Sequence, residues 1–127
     1  AYVNGRGFSA SYEEIVGECG GLVTTSNGAI TSPNYPNNYG SNKDCQWFID
    51  IGEGSTIIIT FDTFDLEFTN SCGKDFVSIY DGNSTSAKLL LFACGSNIPD
   101  PIVSTGHSVL MQFHANSDGA YNVSNIL

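Results

Sequence analysis

Two carboxylates eight positions apart, Glu67 and Asp75, bracket a Thr69-Asn70-Ser71-Cys72-Gly73 loop built from turn-forming residues. Such a loop folds back and can bring the two side chains together. Neighbouring carboxylates repel, so one takes up a proton or a cation sits between them. In an extracellular setting a hard, oxygen-seeking cation such as calcium is the simpler solution. An acid/base pair of the glycosidase kind would use the same residue types, but no cleft rich in Trp and Arg accompanies them. In isolation, loop carboxylates are more often just solvated, so the rest of the chain has to weigh in.

The elements that must position this loop read as strands. Trp47, Ile49 and Ile51 alternate with Gln46 and Asp50, and Ile57, Ile59 and Phe61 repeat the period after a Gly52-Glu53-Gly54 turn. Val77 and Ile79, then Leu89 to Phe92, then Val109, Met111 and Phe113 give three further runs. Ser32 to Tyr39 carries two prolines and three asparagines and is an extended loop. Short strands at this spacing, punctuated by Gly, Asn and Pro, predict an all-β sandwich with no helix. The aromatics fall on period-two faces and belong to the core. Near the N-terminus Phe8 to Tyr12 is strand-like, and the acidic stretch around Glu13, Glu14 and Glu18 reads as a linker.

Composition narrows the function. The 127 residues make about one domain. Four Lys and Arg against thirteen Asp and Glu give a net charge of −9, which argues against nucleic acid, polyanions and anionic membrane faces. Basic protein surfaces and cations are the favoured partners. No stretch approaches the length of a transmembrane helix, so no direct membrane insertion is expected. Cys19, Cys45, Cys72 and Cys94 show no Cys-x-x-Cys spacing, and four cysteines allow three pairings. The even cysteine count and the sequons at Asn83 and Asn122 point to an oxidising, extracellular compartment. His107 and His114 have no partners at metal or triad spacing and read as surface residues. No nucleophile, zinc-protease or phosphate-loop motif occurs, so the chain is expected not to be an enzyme.

With these residues in place the chain resembles a CUB domain. The resemblance rests on Cys19-Gly20-Gly21, the run from Gly28 to Tyr39, and Cys45-Gln46-Trp47. Phe61 to Glu67, Cys72-Gly73-Lys74-Asp75, Tyr80-Asp81-Gly82, Cys94-Gly95 and Ser117-Asp118 follow in the same order. It implies a two-sheet antiparallel, jelly-roll-like β-sandwich with disulfides Cys19–Cys45 and Cys72–Cys94. It also implies a module that binds proteins or glycans. Carried over from calcium-binding members, the Ca2+ ligands are Glu67, Asp75 and Asp118, with Tyr39 bracing them. In the family the metal-ordered loops then accept a partner's Lys or Arg.

One departure is informative. Members of the family close with a Gly-Phe-x-Ala-x-Tyr strand a few residues after Ser-Asp, where this sequence reads Ile126-Leu127. A segment of that type, with Gly7, Phe8, Ala10 and Tyr12, stands at the N-terminus instead, about 119 residues earlier. The expected division is therefore residues 1–18 as a closing or donor strand with linker, and 19–127 as the CUB domain proper. Three arrangements follow. The segment closes a preceding repeat in a tandem array of an endocytic receptor, or is donated to a neighbouring sandwich to build an extracellular fibre, or closes its own chain.

Overall fold

The computed structural model describes residues 7–10, 14–16, 19–24, 28–33, 39–40 and 42–116. Among the described residues the regular elements are eleven strands and no helix. The strongest period-two runs build the larger sheet. Its centre is β5 (Lys43–Asp50) paired along its length with β11 (Ser108–Ala115), and β11 pairs in turn with β8 (Phe76–Asp81). The register lines up Trp47, Met111 and Ile79 in one row and Cys45, Phe113 and Val77 in the next, all buried. Because side chains alternate across a strand, this one-residue-in-two placement fixes which face becomes core. β3 (Gly21–Val23) and β9 (Lys88–Ala93) complete the sheet at its two edges.

A four-stranded sheet supplies the other layer, in the order β2 (Glu14–Val16), β4 (Gly28–Thr31), β1 (Gly7–Ala10), β7 (Phe61–Asp65). β1 runs antiparallel to both neighbours, with Phe8 opposite Phe64 and Ser9 opposite Thr31. Phe8 is fully buried, and its ring meets Trp47, Phe61 and Phe113 edge-on at 5.9, 6.1 and 5.5 Å. These T-shaped contacts are the favoured geometry for aromatic rings and knit the two sheets together. A two-stranded ribbon, β6 (Ile58–Ile59) with β10 (Ile102–Val103), forms a third small sheet.

The expected sandwich is therefore present, with two differences. The edge strands β2 and β3 run parallel to their neighbours, whereas an antiparallel architecture was expected throughout. Moreover, the acidic stretch read as linker contains β2. Ile15 and Val16 are β-branched and pair in register with Ala29 and Ile30. An edge position tolerates a neighbouring charge, so the glutamates did not prevent a strand there.

Both disulfides follow chain order. Cys19–Cys45 spans 26 positions and Cys72–Cys94 spans 22, loops whose closure typically contributes about 2–4 kcal/mol each. The first brings Gly20 against β5. Gly20 has φ +105°, and a Cβ there would lie 2.5 Å from the Gln46 carbonyl oxygen, so only glycine fits.

Candidate functional site

The loop between β7 and β8 is shaped by its own sequence. Leu66 points inward and its N–H donates to the Gly95 carbonyl at 2.8 Å, while Phe68, two residues on, is exposed. Thr69 then organises the turn. Its carbonyl accepts the Cys72 N–H at 3.0 Å and its Oγ1 accepts the Gly73 N–H at 3.2 Å. Cys72 adopts φ +52°, a left-handed conformation uncommon outside glycine, and its disulfide to Cys94 holds the turn against the end of β9. The chain re-enters the sheet directly after Asp75.

This path buries both acids. Glu67 is 2% exposed and Asp75 is fully buried, which excludes the merely solvated role that loop carboxylates usually have. One phenol joins them. The Tyr39 hydroxyl donates to Asp75 Oδ2 at 2.6 Å and accepts the Glu67 backbone N–H at 3.1 Å. The other Asp75 oxygen, Oδ1, accepts the Asn116 N–H at 3.0 Å. Three separate chain segments thus meet on Asp75, and the Tyr39 ring is itself held edge-on to Phe113 at 5.0 Å. Oε1 of Glu67 is buried with no hydrogen-bond partner among the described residues, while the residue is fastened through its backbone N–H.

Two buried acids, Asp75 held to the Tyr39 hydroxyl through its carboxylate and Glu67 through its backbone N–H, offer hard oxygen donors. Buried ionised carboxylates are costly unless paired, protonated or bound to a cation, and such donors suit calcium in particular. The arrangement therefore fits calcium in chemistry. Among the described residues no group of three His, Cys, Asp or Glu converges as a metal cluster. Asp118, the expected third ligand, lies outside the described residues, as do Asn122 and Tyr12. Asn116, anchored to Asp75, stands two positions before Asp118 in sequence. Asn83 is exposed in the turn between β8 and β9.

A second set of acids was not anticipated. His107 Nδ1 lies 2.7 Å from Asp50 Oδ1, and His114 Nδ1 lies 2.6 Å from Asp44 Oδ1. The β5–β11 register creates both pairs, since it sets His114 opposite Asp44 and Ser108, beside His107, opposite Asp50. Only that pairing would have revealed them, because the partners are 57 and 70 positions apart in sequence. The hydrogen bond from His107, helped by the Gly52 N–H, holds the Asp50 carboxyl below the usual carboxylate range. The Thr105 N–H and hydroxyl do the same for Asp81, the last residue of β8, at 3.0 and 2.7 Å. His107 and Asp50 are partly exposed and Asp44 is 82% exposed, so these pairs sit in solvent.

The family model of the CUB domain matches residues 19–124. Human cubilin is 40% identical over 114 residues, which cover 89% of this chain and 3% of cubilin. Bone morphogenetic protein 1 of Xenopus laevis is 40% identical over 118 residues, 93% of this chain and 16% of that protein. The chain thus spans a small part of these relatives. Among solved structures, the CUB1-EGF-CUB2 domain of human MASP-1/3 superposes with a TM-score of 0.71 at 37% identity, covering 80% of this chain and 38% of that one. The MASP-1 CUB2 domain bound to Ca2+ gives a TM-score of 0.69 at 35% identity, covering 77% and 87%.

Proposed function

The chain belongs to the CUB domain family, and from that premise we propose that it is an extracellular, calcium-dependent protein-binding module of a multidomain protein. The observation that carries this reading is the Glu67–Asp75 pair, buried and bridged by the Tyr39 hydroxyl. The similarity to a MASP-1 CUB2 domain described as bound to Ca2+ supports it. Glu67 and Asp75 would hold the ion together with Asp118, and Tyr39 would brace them. A bound ion neutralises the acids and stiffens their loops. Residual negative charge at the rim of those loops then attracts a Lys or Arg of the partner, which docks on a surface already ordered.

This assigns binding and no catalysis to the chain. The two disulfides suit an oxidising compartment, and the exposed Asn83 would carry a glycan there. A tandem array, as an endocytic receptor would provide, is the assembly we propose for it, and the 40% identity to cubilin over 89% of this chain supports that choice. Calorimetric titration of the chain with calcium tests the reading. One site is expected, lost in Asp75→Asn and weakened far more by Asp118→Ala than by Asp100→Ala. Equal weakening by the last two would show that the site is misplaced, and no calcium heat at all would remove it.

A further inference from the structure

β9 is composed like a core strand but is not buried like one. After Lys88 it reads Leu-Leu-Leu-Phe-Ala, yet none of its six side chains is fully buried. Leu90, Leu91 and Ala93 pack partly against the core, while Leu89 and Phe92 are 47% and 45% exposed. β9 is also the last strand of the five-stranded sheet, paired with β8 alone among the described residues. Such a strand offers backbone N–H and C=O groups on its outer edge, a template for another strand.

Edges are normally blunted, and only half of β9 is. Lys88 opens it, and the register skips Leu90, since Leu89 stands opposite Tyr80 and Leu91 opposite Ile79. Leu91, Phe92 and Ala93 stay in regular register with β8 and carry no charge. This unguarded half borders a groove. Leu91 to Cys94, residues 97–102 and Phe68 line about 540 Å³, room for the side chains of an incoming segment. Phe68 and Ile98 are 66% and 55% exposed there. The Phe68 ring lies against Gly95, next to the Cys72–Cys94 link, so the disulfide supports this wall without a metal. Charge selects the occupant. Asp100 is exposed and is the one ionisable side chain among the described residues lining the groove. With −9 on every chain, a second copy is repelled and a basic partner is attracted.

We propose that the outer edge of β9 is a docking site for an extended segment of another protein. The segment adds as a strand beside Leu91, Phe92 and Ala93, seats an aliphatic or aromatic side chain in the groove, and sets a Lys or Arg against Asp100. The backbone pairing supplies affinity and the groove supplies selectivity. The site does not rest on the calcium reading, and Asp100 is no part of the acidic loops.

A random peptide display library, selected on the full chain in chelator, tests this. Enriched peptides are expected to share an aliphatic or aromatic residue beside a Lys or Arg. A synthetic copy of the most enriched peptide should bind Ile98→Ser and Asp100→Lys at least about tenfold more weakly than the wild type. Both positions are exposed, so both variants should keep the wild-type thermal midpoint. N-methylation of the peptide backbone removes donors but no side chain, and it should abolish binding. Peptide addition should also shift the NMR amide signals of Leu91, Phe92 and Ala93. No enriched peptide, one that binds both variants as tightly as the wild type, or one that tolerates N-methylation overturns the proposal. Self-association in light scattering that Ile98→Ser abolishes would put a second copy in the groove, and would overturn the assignment to a basic partner.

Discussion

The acids of the β7–β8 loop and the acids facing β11 are the same residue types put to opposite uses. Glu67 and Asp75 are buried and share one hydroxyl, whereas Asp44 and Asp50 stand at the surface and each meets a histidine. Burial raises the cost of an unneutralised charge, so the loop acids depend closely on what packs against them. Exposure screens the others, which contribute little. Environment, and not the residue type, separates a candidate metal centre from surface polarity.

Calcium should separate the two regions most strongly. At one hundred times the dissociation constant, a ligand bound only by the folded state adds about 2.7 kcal/mol of stability. A thermal melt should rise accordingly with calcium and fall back with chelator. Asp75→Asn should abolish that shift and Asp50→Asn should leave it intact. Equal loss in both variants would end the distinction between the regions.

The next effect concerns the shared hydroxyl. Tyr39→Phe keeps the ring against Phe113 but removes the donor to Asp75 and the acceptor of the Glu67 N–H. Leaving buried groups without that partner should cost roughly 1–3 kcal/mol in urea denaturation. His107→Ala should cost much less, and a comparable loss would mean the surface pair is structural.

The smaller effects lie in acid. Asp50 and Asp81 have carboxyls held low in the folded chain, by His107 and by Thr105 respectively. A depressed folded value means that their contribution is complete above the unfolded carboxylate range, about pH 4, and disappears as pH falls through the lower folded value. NMR titration should find the Asp50 value moving up toward the ordinary range in His107→Ala. Thr105→Val should move Asp81 in the same direction, and an unmoved Asp81 would mean that Thr105 is not what holds it.

Much of this was readable in the sequence, and what was not has a physical cause. Period-two runs announced β5, β8 and β11 because each has one buried face. The loop at Thr69–Gly73 announced that Glu67 and Asp75 could approach, since turn residues act locally. Their burial and their common tie to Tyr39 could not be read from it, because those depend on how three distant segments pack. The histidine pairs were hidden for the same reason, needing the register of β5 against β11. Charge misled at Glu14, where a strand edge accepts an acid that a sheet interior would not. Aromatic periodicity also overreached: Phe68 and Phe92 stay exposed, although most of the rings are core.

The Tyr39 hydroxyl has a spectroscopic consequence. Because the phenol donates a hydrogen bond to Asp75 and accepts one from the Glu67 N–H, any change in charge at Asp75 polarises the oxygen that this amide faces. The Glu67 amide resonance is therefore a built-in indicator, able to register events at Asp75 without a label, a probe dye or a binding partner.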